Sequence, residues 1–184
     1  MRAGDSKRLV IDACVARGCG GTATPEDLTM KSCRDFLRKV LEVSHRMVLT
    51  PLIGDEWKRH RKTFARQWQY SMEARKKVYR VNDIANGTLS DKIKRAAVAE
   101  KDCEEMLKDL HLIEAALVTD RIVVSLDEDA REPFTKAAQS VGELRHITWV
   151  NPDKSEEKPL RWLDEGANCE KSRQLGFVRK PKRS

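Results

Sequence analysis

Four acidic side chains stand where an alternating α/β chain would gather them: Asp12, Glu56, Asp109 and Asp127. Asp12 closes the apolar run Leu9-Val10-Ile11, and Asp127 closes Ile122-Val123-Val124-Ser125-Leu126. Glu56 opens a helix after the run Met47-Val48-Leu49, and Asp109 lies on the apolar face of the helix preceding Ile122. Carboxylates are costly to bring together or bury unless they are paired or bind a metal. Four of them meeting at one edge imply a divalent-metal site. Carboxylates without imidazole or thiolate suit Mg2+ or Mn2+ better than zinc. Such ions lower the pKa of water and neutralise charge on a phosphoryl group, and a pair of them about 4 Å apart clamps the attacking and leaving oxygens. The expected reaction is metal-dependent hydrolysis of a phosphodiester.

The elements that would position these acids follow from the hydrophobic pattern. Residues 8–15 read as a buried strand, and the loop Arg17-Gly18-Cys19-Gly20-Gly21 lacks the Gly-Lys-Ser/Thr of a phosphate-binding loop. Thr24-Pro25-Glu26-Asp27 is a helix start with a hydroxyl cap, an early proline and acids in the first turn. Its helix turns Leu28, Phe36, Leu37, Val40 and Leu41 inward and ends near Ser44. A second strand spans 46–51, and a long helical region spans about 55–80 with Trp57, Phe64, Trp68 and Met72 as its apolar stripe. Asn86-Gly87 is a turn. Helices near 89–98, 101–119 and 132–141 and strands at 121–127 and 146–150 complete the order. Alternation of this kind implies a three-layer α/β/α sandwich around a mainly parallel sheet.

In such sheets functional groups gather outside the carboxyl ends of the strands. That edge receives Asp12 and Asp127 directly, and Glu56 through the helix that starts there. At 100° per residue, Met106, Leu112, Ile113 and Ala116 fall within about 60° of Asp109, so Asp109 is an acid among core-facing residues. Each acid also has a plainer reading. Asp109 could be a satisfied buried carboxylate, and Glu56 could be favoured by the helix dipole alone, with Asp55 as its rival for the site. Glu128 or Asp129 could join the site or be a loop acid, and Ser125 could orient a ligand or simply fill the strand. His60 and His111 are candidate substrate contacts or structural histidines.

The chain has 184 residues, 40% of them hydrophobic and 35% charged, with net charge +7. That suffices for one domain over residues 1–151, with a polar linker and basic extension over 152–184, where Trp162 and Leu163 dock back. An acidic metal site in a basic protein suits a polyanion such as RNA. The basic residues of 58–80, Lys76 and Lys77 among them, are candidates to hold a nucleic-acid backbone. The tail Arg179-Lys180-Pro181-Lys182-Arg183 is either a phosphate-grasping arm or a solubilising terminus. Five cysteines without zinc spacing are expected to be reduced thiols, no stretch has the length of a membrane span, and a cytoplasmic location is expected.

The pieces Val10-Ile11-Asp12, Glu56, Lys108-Asp109-Leu110-His111-Leu112-Ile113-Glu114-Ala115-Ala116 and Val124-Ser125-Leu126-Asp127, in that order over residues 7–151, resemble the PIN-domain (VapC-like) nucleases. The resemblance implies a Mg2+- or Mn2+-dependent endoribonuclease using Asp12, Glu56, Asp109 and Asp127. It also implies a toxin or defence role under an inhibitory antitoxin or regulatory partner, and a homodimer. Cys14 departs from the family pattern, in which a serine or threonine often follows the first aspartate. Three other readings compete. A catalytically inactive RNA-binding or scaffold version of the fold would not need all four acids. A receiver-like phosphoacceptor domain would need adjacent acids near the first strand and a lysine after a later one. A phosphatase with an aspartyl nucleophile would need Asp-x-Asp after the first strand.

Overall fold

The computed structural model describes residues 6–20, 28–82 and 85–177. Short apolar runs build its sheet: β1 (Arg8–Ile11), β2 (Arg46–Leu49), β3 (Val78–Arg80), β4 (Ile122–Val124) and β5 (Thr148–Val150). They lie in the order β3-β2-β1-β4-β5, every neighbouring pair parallel. Successive residues of a strand point to opposite faces. Leu9, Val10, Ile11, Met47, Val48 and Val123 are nevertheless all fully buried, so both faces are covered.

The helices are α1 (Ala13–Gly18), α2 (Leu28–Glu42), α3 (Pro51–His60), α4 (Thr63–Ala74), α5 (Gly87–Ala96), α6 (Glu100–Leu117), α7 (Glu128–Ala137) and α8 (Pro159–Asp164). One group packs α2 against α4 and α8; the other packs α6 against α5, α7, β1 and β4. The fold is the expected three-layer α/β/α sandwich, with a sheet that is parallel throughout.

Several boundaries differ from those expected. The first strand stops at Ile11, because the Asp12 carboxylate caps α1 by accepting from Cys14 N at 3.1 Å. The region 55–80 is two helices and a strand. Thr50 Oγ1 accepts from Ile53 N at 3.1 Å and starts α3 at Pro51, so Glu56 lies in its second turn, not its first. Arg61 then takes an extended conformation (ψ 124°) that breaks the helix before α4. Lys76, with φ 56°, turns the chain into β3. The last helix before β5 begins at Glu128 rather than 132, because Asp127 Oδ1 accepts from Ala130 N at 2.9 Å. The helix start at Thr24–Asp27 and the tail 179–183 lie outside the described residues.

Beyond Pro152 the chain stays on the domain. Trp162 and Leu163 of α8 are buried as expected, with Ala167 and Leu175. Leu175 N donates to Ile147 O at 2.9 Å, and Gln174 bridges Thr148 at the edge of the sheet. Residues 153–158 are therefore no bare linker. Glu157 is held by Arg131 at 2.6 Å and by Asn151 N at 3.1 Å.

Candidate metal centre

The strand order reverses between β1 and β4. From β1 the chain builds outward through β2 and β3, then crosses to β4 and β5 on the other side. The crevice at such a switch point, outside the carboxyl ends of the strands, is where open α/β sheets bind ligands. Asp12 leaves β1 at this crevice, and its backbone N–H donates to Val124 O of β4 at 2.9 Å. Asp12 Oδ2 accepts from Ser125 Oγ at 2.6 Å, and Ser125 Oγ accepts in turn from Asp127 N at 3.0 Å. One buried hydroxyl thus ties the first acid to the backbone of the last.

Cys14 supplies a further donor. Its thiol donates to Asp12 Oδ2 at 2.9 Å, and its sulfur accepts from Leu126 N at 3.2 Å. Burial first, then the charge of Asp12, push this thiol well above its usual range, so it stays protonated. The donor to Asp12 here is thus a thiol, at the position where a serine or threonine is expected.

Glu56 is placed by its neighbour. The Trp57 indole, fully buried, donates to Ile11 O at 2.7 Å and stacks on Trp68 with centroids 5.6 Å apart, pinning α3 to the end of β1. Glu56 Oε2 lies 3.0 Å from His111 Nε2, while His111 Nδ1 lies 3.1 Å from Lys108 O. Asp55, its rival, is exposed and pairs with Lys58 at 3.1 Å on another flank of α3.

Asp109 is buried on α6, 9% exposed, as its helical phase implied. Its carboxyl is pushed up to about 6, mainly by burial, then by Asp12 and Asp127, against the opposing charges of Lys108 and His111. These mutual effects express proximity: Asp12, Glu56, Asp109 and Asp127 all line one cavity of about 120 Å³. Arg17, His60 and Lys108 line it too. Among the described residues, no arginine or lysine forms an ion pair with Asp12, Asp109 or Asp127.

Glu128 turns elsewhere. It accepts from Lys154 at 2.6 Å, Asn151 at 2.9 Å and Arg131 at 3.3 Å. Asp129 is exposed. The contact of His111 with Glu56 joins residues 55 positions apart, and no periodicity in the sequence signals it.

Among the described residues, no three Asp, Glu, His or Cys side chains already stand as a ready ion cage. The donor chemistry still fits a hard cation. An ionised carboxylate has about four acceptor sites, and Asp109 receives no hydrogen bond from the described residues on either oxygen. Asp127 Oδ2 and Glu56 Oε1 are likewise without a donor. No family model matches the sequence, and no curated protein matches it.

Proposed function

We propose that the protein is a Mg2+- or Mn2+-dependent endoribonuclease whose metal is held by Asp12, Glu56, Asp109 and Asp127. The observation that carries this reading is the shared cavity: four carboxylates at the switch point of a parallel sheet, three of them without an ion-pair partner among the described residues. Like charges facing one another stay apart until a cation offsets them. A bound divalent ion would supply Lewis-acid activation of water and of the phosphodiester.

The chain's own groups have definite tasks in this scheme. Ser125 and Cys14 fix the Asp12 carboxylate by donating to Oδ2. His111 fixes Glu56 through Oε2, while Oε1 has no donor among the described residues. Asp109 holds a proton below about pH 6 and releases it when a cation replaces the proton's charge. Arg17, Lys108 and His60 at the cavity can meet the phosphates of a strand, contacts that position a backbone without reading sequence. The net charge of +7 favours gathering of RNA. Restraint by an inhibitory protein and dimerisation rest on the family resemblance alone.

The test incubates labelled RNA and single-stranded DNA with the protein and with Asp12→Asn, in Mn2+, Mg2+ or chelator. Asparagine keeps the helix cap while removing the charge. The expected result is RNA cleavage that requires metal and falls by more than about a hundredfold in the variant, beyond the loss from removing a mere supporting partner. Cleavage that persists in chelator refutes the mechanism.

A further inference from the structure

Helix α3 is the wall between two hollows. Glu56 and His60 face the acid cavity on one flank. Lys58 and Arg61 line a second, wider hollow of about 390 Å³, completed by Tyr70 of α4 and by Arg80 and Asn82 at the end of β3. Leu49 and Arg80, the last residues of β2 and β3, both border it, so it opens at the same carboxyl edge of the sheet. From β1 to β3 is two strand spacings, about 10 Å. A flexible strand with one phosphate at the acids would therefore reach this hollow with a nearby nucleotide.

We infer that the hollow around Tyr70 binds an unpaired base of the RNA strand close to the scissile phosphate. This rests on the nuclease reading and names the substrate's form: single-stranded at this position. Tyr70 is 59% exposed beside the hollow, although aromatic side chains are few in this chain, at 5%. Arg61 lies over its ring, 5.6 Å from guanidinium to centroid, and is steadied by donating to Gln69 at 2.6 Å. The ring is thus held as a platform. Unpaired bases stack on exposed aromatic rings, because every base offers a π-face, and a nearby arginine adds cation–π attraction.

The polar residues suit the rest of a nucleotide. Asn82 makes no hydrogen bond with the described residues, and its amide can both donate to and accept from a base edge. Lys58 and Arg80 pair with Asp55 at 3.1 Å and Glu73 at 2.6 Å. Exposed pairs of this kind are weak, so a phosphate can take over either cation. A duplex could not use the site, since its bases are already stacked on one another.

The experiment uses the full chain carrying Asp12→Asn, so that binding is read without cleavage. A short single-stranded RNA with 2-aminopurine at one position, moved along the strand, is titrated beside the matching duplex. Stacking on Tyr70 should quench the probe at one position. Adding Tyr70→Ala should remove that quench and weaken single-strand binding roughly tenfold, the scale of one lost base stack. Tyr70→Phe should restore both, and duplex binding should not change. Tyr70 is exposed, and unchanged melting of the variants shows that the fold is kept. Single-strand binding that is indifferent to Tyr70→Ala, or a loss shared equally by the duplex, overturns the inference while leaving the metal-dependent cleavage test untouched. Binding through Tyr70 in a protein that never cleaves upholds the hollow and refutes the nuclease.

Discussion

Asp127 and Glu128 are neighbours in the chain, yet they belong to opposite kinds of acidic cluster. Glu128 joins a network in which charges cancel: Lys154 and Arg131 bind it, Arg131 also binds Glu157 at 2.6 Å, and Arg173 lies 3.9 Å from Glu157. Its carboxyl is held below the usual range: burial works against this, but Lys154, Asn151 and Arg131 together outweigh it. Asp127 faces Asp12 and Asp109 in a cavity with no such clamp among the described residues. One cluster fastens residues 151–173 to the domain. The other leaves the domain with repulsion that an added cation or proton relieves. The lesson is that burial of an acid says little by itself. The sign of its neighbours separates a fastening from a site.

The largest stability effect should come from breaking the fastening. Arg131 is 18% exposed at its side chain and serves two glutamates as well as Trp149 O. Arg131→Ala leaves Glu157, 15% exposed, short of its closest cation. The expected loss is about 3 kcal/mol in denaturant unfolding, the scale for removing one partner of a largely buried pair. Metal-dependent cleavage per folded molecule should stay near wild type. A loss under about 0.5 kcal/mol would class the network with ordinary surface pairs and dissolve the contrast.

The opposite sign is expected in the cavity. The Asp109 carboxyl titrates near 6 in the folded chain, against 3.8 for an ordinary aspartate. The native state therefore keeps a proton that the unfolded chain has already lost. Stability from this group is fullest below pH 3.8 and declines as pH rises through about 6. Asp109→Asn removes that decline. In chelator at pH 7 the variant should be more stable than wild type by roughly 1–3 kcal/mol, with the gain vanishing near pH 4. Mn2+ should raise the melting temperature of wild type and do little for the variant. Thermal unfolding across pH, with and without metal, measures both. A variant less stable than wild type at pH 7 would mean that Asp109 is a fastening like Glu128.

The same contrast explains what the amino-acid sequence disclosed. Strands such as Leu9–Ile11 and Ile122–Val124 are runs of buried aliphatics, and Asp109 stands out because helical phase alone sets it among Met106, Leu112 and Ile113. Strand β3 was hidden because Val78-Tyr79-Arg80 is short, lies at the sheet's edge and is only partly buried, so it merges with the basic helical pattern before it. The break at Arg61 carries no glycine or proline to announce it. Glu56 was legible as an acid near a strand end, but its orientation depends on Trp57 reaching Ile11 O and on His111, contacts between distant segments. The role of Glu128 was open for the same reason: Lys154 and Asn151 arrive from beyond β5.

The smallest effect sharpens the comparison on the cationic side. Lys77, expected to grip a nucleic-acid backbone, instead donates to the carbonyls of Val40, Leu41 and Val43. It satisfies Val40 and Leu41 in the last turn of α2 and Val43 just past it, where helical amides no longer reach the carbonyl oxygens. Lys108 is 68% exposed, lies at the acid cavity and pairs only loosely with Glu105, at 3.6 Å. Asp109 first, then Glu105 and Asp127 against partial burial, raise its pKa, so it is charged wherever RNA would bind. Lys108→Gln should reduce the slope of log affinity for single-stranded RNA against log salt by about 0.7, the share of one phosphate contact. Lys77→Gln should lower the melting temperature and leave that slope alone. The two variants are compared in the Asp12→Asn background by titration at several salt concentrations. A slope that responds to Lys77 but not to Lys108 would place the RNA on the α2–α4 side of the sheet and remove it from the acids.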